Sequence, residues 1–101
     1  MGFEKFEGLN NQVYFRLKAE NGEVILQSEG YVSHQGADNG IDSVKQNGIS
    51  RDNFQVRESE LGEPYFVLVA ENNEIIGTSE MYSSNAACEK GIESVISNLG
   101  E

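Results

Sequence analysis

The chain of 101 residues, with 38% hydrophobic and 24% charged residues, eleven Gly and one Pro, has the size and composition of a single globular domain. Seven Lys and Arg against seventeen Asp and Glu give a net charge of −10, a field that repels phosphate backbones and anionic lipid surfaces and so argues against nucleic-acid and membrane partners. The lone Cys88 excludes an intramolecular disulfide and a multi-thiolate zinc site, and points to a reducing compartment, the cytoplasm. No apolar run reaches membrane-spanning length, and the stretch from Met1 to Phe6 lacks the apolar core of a secretory signal. Gly2 opens a myristoylation-like string, but Glu7 stands where that signal needs Ser or Thr.

Taken in chain order, Phe3 to Phe6 reads as a short first strand, followed by a loop from Gly8 to Gln12. Phe15, Leu17 and Ala19 then alternate with Tyr14, Arg16 and Lys18, a period of two that predicts a strand with one buried face. Asn21-Gly22 predicts a tight type I′ hairpin leading into a third strand, Glu23 to Ser28. Ser33 is placed to cap a helix whose inward stripe is Ala37, Gly40, Ile41 and Val44, with Asn47-Gly48 closing it in the left-handed conformation.

The same order then repeats. Shifting the chain by 51 positions matches 17 of the 34 residues from Tyr14 to Asn47, where average composition would give roughly two. Phe54 to Arg57, Phe66 to Ala70 and the segment after Asn72-Asn73 are the second set of strands, with Ser59 to Pro64 as the loop least like its counterpart. Ser84 caps a second helix with the stripe Cys88, Gly91, Ile92, Val95 and Leu99. The expectation is one α+β domain over 1–101, built from two β-β-β-α units of about 2–52 and 53–101. Gly40 and Gly91 each cost a helix about 0.8–1.0 kcal/mol against Ala, so their recurrence predicts close approach of the helix backbone to a neighbour.

The segments Asn21-Gly22-Glu23-Val24-Ile25-Leu26, Ser28-Glu29-Gly30-Tyr31 and Asn39-Gly40-Ile41-Asp42-Ser43-Val44 have second-unit echoes in Ile76 to Ser84 and Lys90-Gly91-Ile92-Glu93-Ser94-Val95. In these, and over nearly its whole length, the chain resembles the YegP-like family of small, uncharacterised bacterial proteins. Asn73 for the turn Gly and Lys90 for the Asn before Gly91 are the departures. The resemblance implies one antiparallel sheet with both helices on one face, the units exchanging strands across a pseudo-twofold. It also implies that a monomer suffices as a pseudo-dimer of repeats, and it brings no activity, cofactor or catalytic residue.

No catalytic set assembles from the residues themselves. The single His34 falls in the first turn of a helix, where its repeat partner is Asn85, and Cys88 lies on an apolar stripe opposite Ala37. Asp38, Asn39 and Asp42 lack the spacing of a calcium loop, and no phosphate-binding Gly loop occurs. Glu20, Glu23 and Glu29 recur as Glu71, Glu74 and Glu80, and Ser28-Glu29, Tyr31 and Ser33 as Ser79-Glu80, Tyr82 and Ser84. Solvated strand ends, helix caps and a Tyr ring over the sheet edge account for these. If both helices cover one face, the other carries Tyr14, Arg16, Lys18, Tyr65 and Val67, and aromatic residues beside Arg suit protein interfaces. The reading is therefore a non-enzymatic interaction module without cofactor or metal, binding an unidentified protein partner through Tyr14, Arg16, Lys18 and Tyr65. The alternative is a small-ligand binder or enzyme using the duplicated Glu and Tyr positions.

Overall fold

Four tight hairpins set the architecture. In the computed structural model, which describes residues 2–100, the elements are β1 (Gly2–Glu7), β2 (Val13–Lys18), β3 (Val24–Gln27), α1 (His34–Asn47), β4 (Phe54–Glu58), β5 (Pro64–Val69), β6 (Ile75–Thr78) and α2 (Asn85–Leu99). A single 3-10 turn, Arg51–Asn53, precedes β4. Met1 and Glu101, the ends of the expected domain, lie outside the described residues.

All four hairpins use the same loop. Gly22 donates its N–H to Ala19 O and Ala19 donates to Glu23 O, each at 2.9 Å, which encloses three loop residues with Gly22 at φ 84°. Only the third loop residue is left-handed, so the hairpin is a turn followed by a bulge and not the expected two-residue type I′ form. Asn73 (φ 67°), Asn11 (φ 63°) and Gly62 (φ 80°) hold the same position in the other three loops. The loops that looked least alike in sequence are thus alike in geometry. Asn10, Asn21 and Asn72 each accept the N–H two residues on, a local bond that sets these turns without regard to the rest of the loop.

Short hairpins keep the strands of each unit adjacent, so the units do not exchange strands as the family resemblance implied. The sheet order is β1-β2-β3-β6-β5-β4, antiparallel throughout, with the inner strand of each unit meeting the other at the pair Gln27 and Thr78. A register shift in each inner hairpin leaves Ile25 and Ile76 as the extra residues, and both join the core. Where β3 and β6 leave the sheet, Ser28 and Ser79 stand in for a missing strand partner: each Oγ accepts the N–H of Phe15 or Phe66 at 2.9 Å and donates to the next carbonyl at 2.8 Å.

Both helices lie on the face bearing Phe15, Leu17, Phe66 and Leu68, all of which are buried. Their caps are as expected, with Ser33 Oγ accepting from Gly36 N at 3.0 Å and Ser84 Oγ from Ala87 N at 3.1 Å. Their buried stripes are Ala37, Gly40, Val44 and Cys88, Ile92, Val95, with Ile41 and Leu99 partly covered. Beneath each helix sits an aromatic stack. Phe15 meets Phe3 edge-on at 6.0 Å and Tyr31 face-on at 6.1 Å, while Phe66 meets Phe54 at 5.6 Å and Tyr82 at 6.1 Å. The tyrosines are therefore wedged between sheet and helix, not laid over the sheet edge. A Cβ on Gly40 would lie 2.7 Å from Tyr31 Cζ, and one on Gly91 would lie 2.8 Å from Tyr82 Cζ, which identifies the close approach that the recurrent glycines imply.

Gly48 departs from expectation in a useful way. Its φ of −76° is not left-handed, and its N–H bonds Val44 O at 2.7 Å, so the helix simply ends there. A Cβ would stand 2.7 Å from the Val44 carbonyl oxygen and 2.6 Å from Leu99 Cδ1 of α2, so a side chain would crowd both helices. A forked pair, Arg51 Nε and Nη2 to Glu89 at 3.2 and 2.6 Å, ties the inter-unit turn to α2.

The shared loop geometry has a measurable consequence. Ala in the left-handed region costs about 1–2 kcal/mol, a penalty that Gly escapes and Asn reduces. Asn73→Ala is expected to lower the urea unfolding free energy by about 1 kcal/mol, and Asn73→Gly to leave it within about 0.5 kcal/mol. Equal losses in both variants would contradict the assignment.

Candidate functional site

The face of the sheet away from the helices is where the expected binding residues lie. Antiparallel register places Glu4, Arg16, Gln27, Thr78, Val67 and Gln55 in one row across all six strands, with the pseudo-twofold between Gln27 and Thr78. Tyr14 and Lys18 flank Arg16 along β2, and Tyr65 lies two residues from Val67 along β5.

Tyr14, Arg16 and Lys18 form one group with two β1 residues. The Phe6 and Tyr14 rings stack at 5.5 Å and 16°, Arg16 Cζ lies 4.1 Å over the Phe6 ring, and Asn10 Nδ2 donates to Tyr14 Oη at 2.9 Å. Glu4 sits between the cations, 3.2 Å from Arg16 Nε and 3.3 Å from Lys18 Nζ. The Arg16 contact is close enough for Coulombic attraction but misaligned for a hydrogen bond, so the buried Nε–H has no acceptor.

Tyr65 does not join that group. At about 4.8 Å per strand and 3.4 Å per residue, with Tyr14 and Tyr65 on opposite sides of the row, the two rings are about 20 Å apart. Tyr65 instead pairs in register with Arg57, whose Nη2 donates to Gln55 Oε1 at 3.0 Å. Val67 is 2% exposed, because this short side chain lies in register between Gln55 and Thr78, so it offers little surface to a partner. Glu4, Phe6, Gln27, Gln55, Arg57 and Thr78 are face residues that the sequence reading missed. The period of two in β1 and β4 would reveal those on these two strands only with the register, which depends on recognising the three-residue loops.

The other candidates fall elsewhere. His34 is exposed in the first turn of α1, its Nε2 3.4 Å from Glu7 Oε1. Asp38 pairs with Lys5 Nζ at 2.8 Å. Cys88 is fully buried, and burial, followed by the nearby Glu89 carboxylate, raises its pKa, which is the environment of an inert thiol. Among the described residues no three His, Cys, Asp or Glu side chains converge on a metal position, and no helix is long and apolar enough to cross a membrane. Glu23 and Glu80 do come together, on a groove of about 520 Å³ that is also lined by Val24, Ile25, Met81, Tyr82 and Ser83.

Comparison with known proteins agrees with this architecture. The family model described as "Domain of unknown function (DUF1508)" matches twice, over residues 10–54 and 59–101, once per unit. The chain belongs to the DUF1508 family. Its relatives include a UPF0339 protein of Mannheimia succiniciproducens, 52% identical over 88% of this chain and 79% of the relative. Another is the UPF0339 protein YegP of Yersinia pestis, 46% identical over 95% of this chain and 86% of the relative. Two solution NMR structures share the fold. A UPF0339 protein of Shewanella oneidensis superposes with a TM-score of 0.89 at 46% identity, covering 98% of this chain and 84% of that one. Escherichia coli YegP, a protein of unknown function, gives 0.90 at 41% identity over 98% and 85%. The DUF1508 relatives are thus bacterial and uncharacterised, as the resemblance implied, and nothing in the comparison supports an enzymatic activity.

The wedged tyrosines of this DUF1508 chain make its stability depend on pH in one direction. Burial first, then Glu29 and Glu74, raises the Tyr31 pKa above 10.0. Burial first, then Cys88, Glu23 and Glu80, raises that of Tyr82. The unfolded chain loses these protons at its ordinary tyrosine value while the folded chain retains them, so stability holds below pH 10.0 and falls as pH rises through it. Urea titrations across that range should show a shallower decline in a Tyr31→Phe, Tyr82→Phe variant than in the parent. Parallel declines would remove the tyrosines as the cause.

Proposed function

We propose that this DUF1508 protein is a small, non-enzymatic interaction module of the cytoplasm that docks a protein partner on its open sheet face. Tyr14, Arg16, Lys18 and Tyr65 make the contact, without cofactor, nucleic acid or membrane, and a monomer is the working unit. The observation that carries this reading is the uneven distribution of charge and aromatic surface. In a chain with a net charge of −10, three of its seven cations, Arg16, Lys18 and Arg57, share the open face with the Phe6, Tyr14 and Tyr65 rings. Aromatic residues and Arg are the residue types enriched in the centre of protein interfaces.

Dimensions agree. A standard interface takes about 800 Å² from each partner, a patch roughly 30 Å across, which spans the separation of Tyr14 and Tyr65. The cytoplasmic location is supported by the unpaired, buried Cys88 and by net negative charge that discourages anionic membrane surfaces.

Affinity capture from native bacterial lysate, with the parent and a Tyr14→Ala, Tyr65→Ala variant side by side, tests the reading. Loss of a central aromatic anchor costs about 2 kcal/mol or more, about thirtyfold in affinity, so a partner retained by the parent should be lost from a variant of unchanged circular dichroism. A partner retained equally by both would remove the open face from the account.

A further inference from the structure

At the end of the sheet, where β3 begins and the chain leaves β6, Glu23, Val24 and Ile25 of one unit and Glu80, Met81, Tyr82 and Ser83 of the other line one groove of about 520 Å³. This volume lies in the range of small-molecule sites, about 300–1,000 Å³. Val24, Ile25, Met81 and the Tyr82 ring supply apolar walls. Met81 is 47% exposed, and a flexible thioether left in the open is an adaptable contact. The repeat does not require it, since the first unit has Gly30 at the corresponding position and Val32 where the second has Ser83.

The charge at the groove has one sign. Glu23 and Glu80 are both exposed, no cation lines the groove, and among the described residues neither carboxylate has a salt-bridge partner. Both carboxylates act on the Tyr82 hydroxyl, after burial and the Cys88 thiol, which shows that their field is felt within the groove wall. Apolar walls exclude a bare hydrated ion, and two unpaired carboxylates exclude an acid. The complementary ligand is an ammonium group on an aliphatic stem. We propose that the groove binds a small free aliphatic amine, its stem against Val24, Ile25 and Met81 and its ammonium held by Glu23 and Glu80. A lysine side chain carries the same ammonium on a similar stem, so a lysine of a docked protein is the competing occupant. The site is separate from the open sheet face and does not depend on a partner there.

Titration of the isotopically labelled protein with 1,6-diaminohexane, followed by amide chemical shifts, tests this assignment. Shifts are expected at Glu23–Ile25 and Glu80–Ser83, with 1-hexanol and hexanoate binding weaker by about tenfold. Glu23→Gln, Glu80→Gln and Met81→Gly, all at exposed positions, should each weaken the diamine by about three- to tenfold. Glu74→Gln, the repeat equivalent of Glu23, should leave it unchanged. Shifts spread over the acidic surface, equal weakening by Glu74→Gln, or no saturation would overturn the proposal. A short lysine peptide that binds this groove more tightly than the diamine would overturn the choice of a free amine.

Discussion

Each helix of this protein reaches the sheet through a tyrosine ring, and the helix position above that ring has no room for a side chain. Tyr31 lies between Phe15 and Gly40, Tyr82 between Phe66 and Gly91, and a Cβ on either glycine would overlap the ring. Each glycine costs its helix about 1 kcal/mol in propensity, and the stacked ring pair and buried area beneath it offset that loss. The phenylalanine at the centre of each stack also donates its backbone N–H to Ser28 or Ser79 Oγ, so the ring beneath the helix is held by the chain that leads into it. Strand, linker and helix are thus fastened at one point in each unit.

Two copies of that unit then share one sheet, and the place where they meet is not symmetric. Leu26 and Gly77 are repeat equivalents beside the central pair, and a Cβ on Gly77 would lie 2.6 Å from Leu26 Cγ. One leucine fills the space at the axis that two would contest. α1 reaches across to β5 and β6 as well as its own β2, which joins the units where the inner strands share little ladder. With the duplicated interior fixed in this way, differences between the units fall on the surface. The open face has a Phe6, Tyr14 and Arg16 cluster in one half and Arg57 beside Tyr65 in the other, and Met81 borders a groove where the other unit has glycine.

The repeat, the element order and the core stripes were readable because each is a periodic pattern within one segment. The caps were readable too, since Ser33 and Ser84 act within one helical turn. The turn type at Asn21-Gly22 was not, because that dipeptide serves both a two-residue loop and a third-position bulge, and the flanking register decides between them. Gly48 misled for a related reason: its lack of a side chain relieves crowding at the Val44 carbonyl and at Leu99 of α2 rather than serving a left-handed turn, and the Leu99 contact, about fifty residues away, has no local signal. The placement of Tyr14, Arg16 and Lys18 on one face followed from alternation alone. Their separation from Tyr65 depends on β3 and β6 lying between, which is a property of the assembled sheet. The groove shared by Glu23 and Glu80 joins opposite units and has no sequence signature.

The central claim is that tyrosine and helix glycine occupy one another's space, and a double-mutant cycle between Gly91 and Tyr82 measures it directly. In the parent, Gly91→Ala should destabilise by about 1–2 kcal/mol, because overpacking outweighs the gain in helix propensity. In a Tyr82→Leu background, where the hydroxyl and distal ring are gone, the same change should stabilise by up to about 1 kcal/mol. That reversal of sign, read from urea unfolding of the four proteins, is the result predicted. Equal effects of Gly91→Ala in both backgrounds would mean the two sites are independent and would contradict the account.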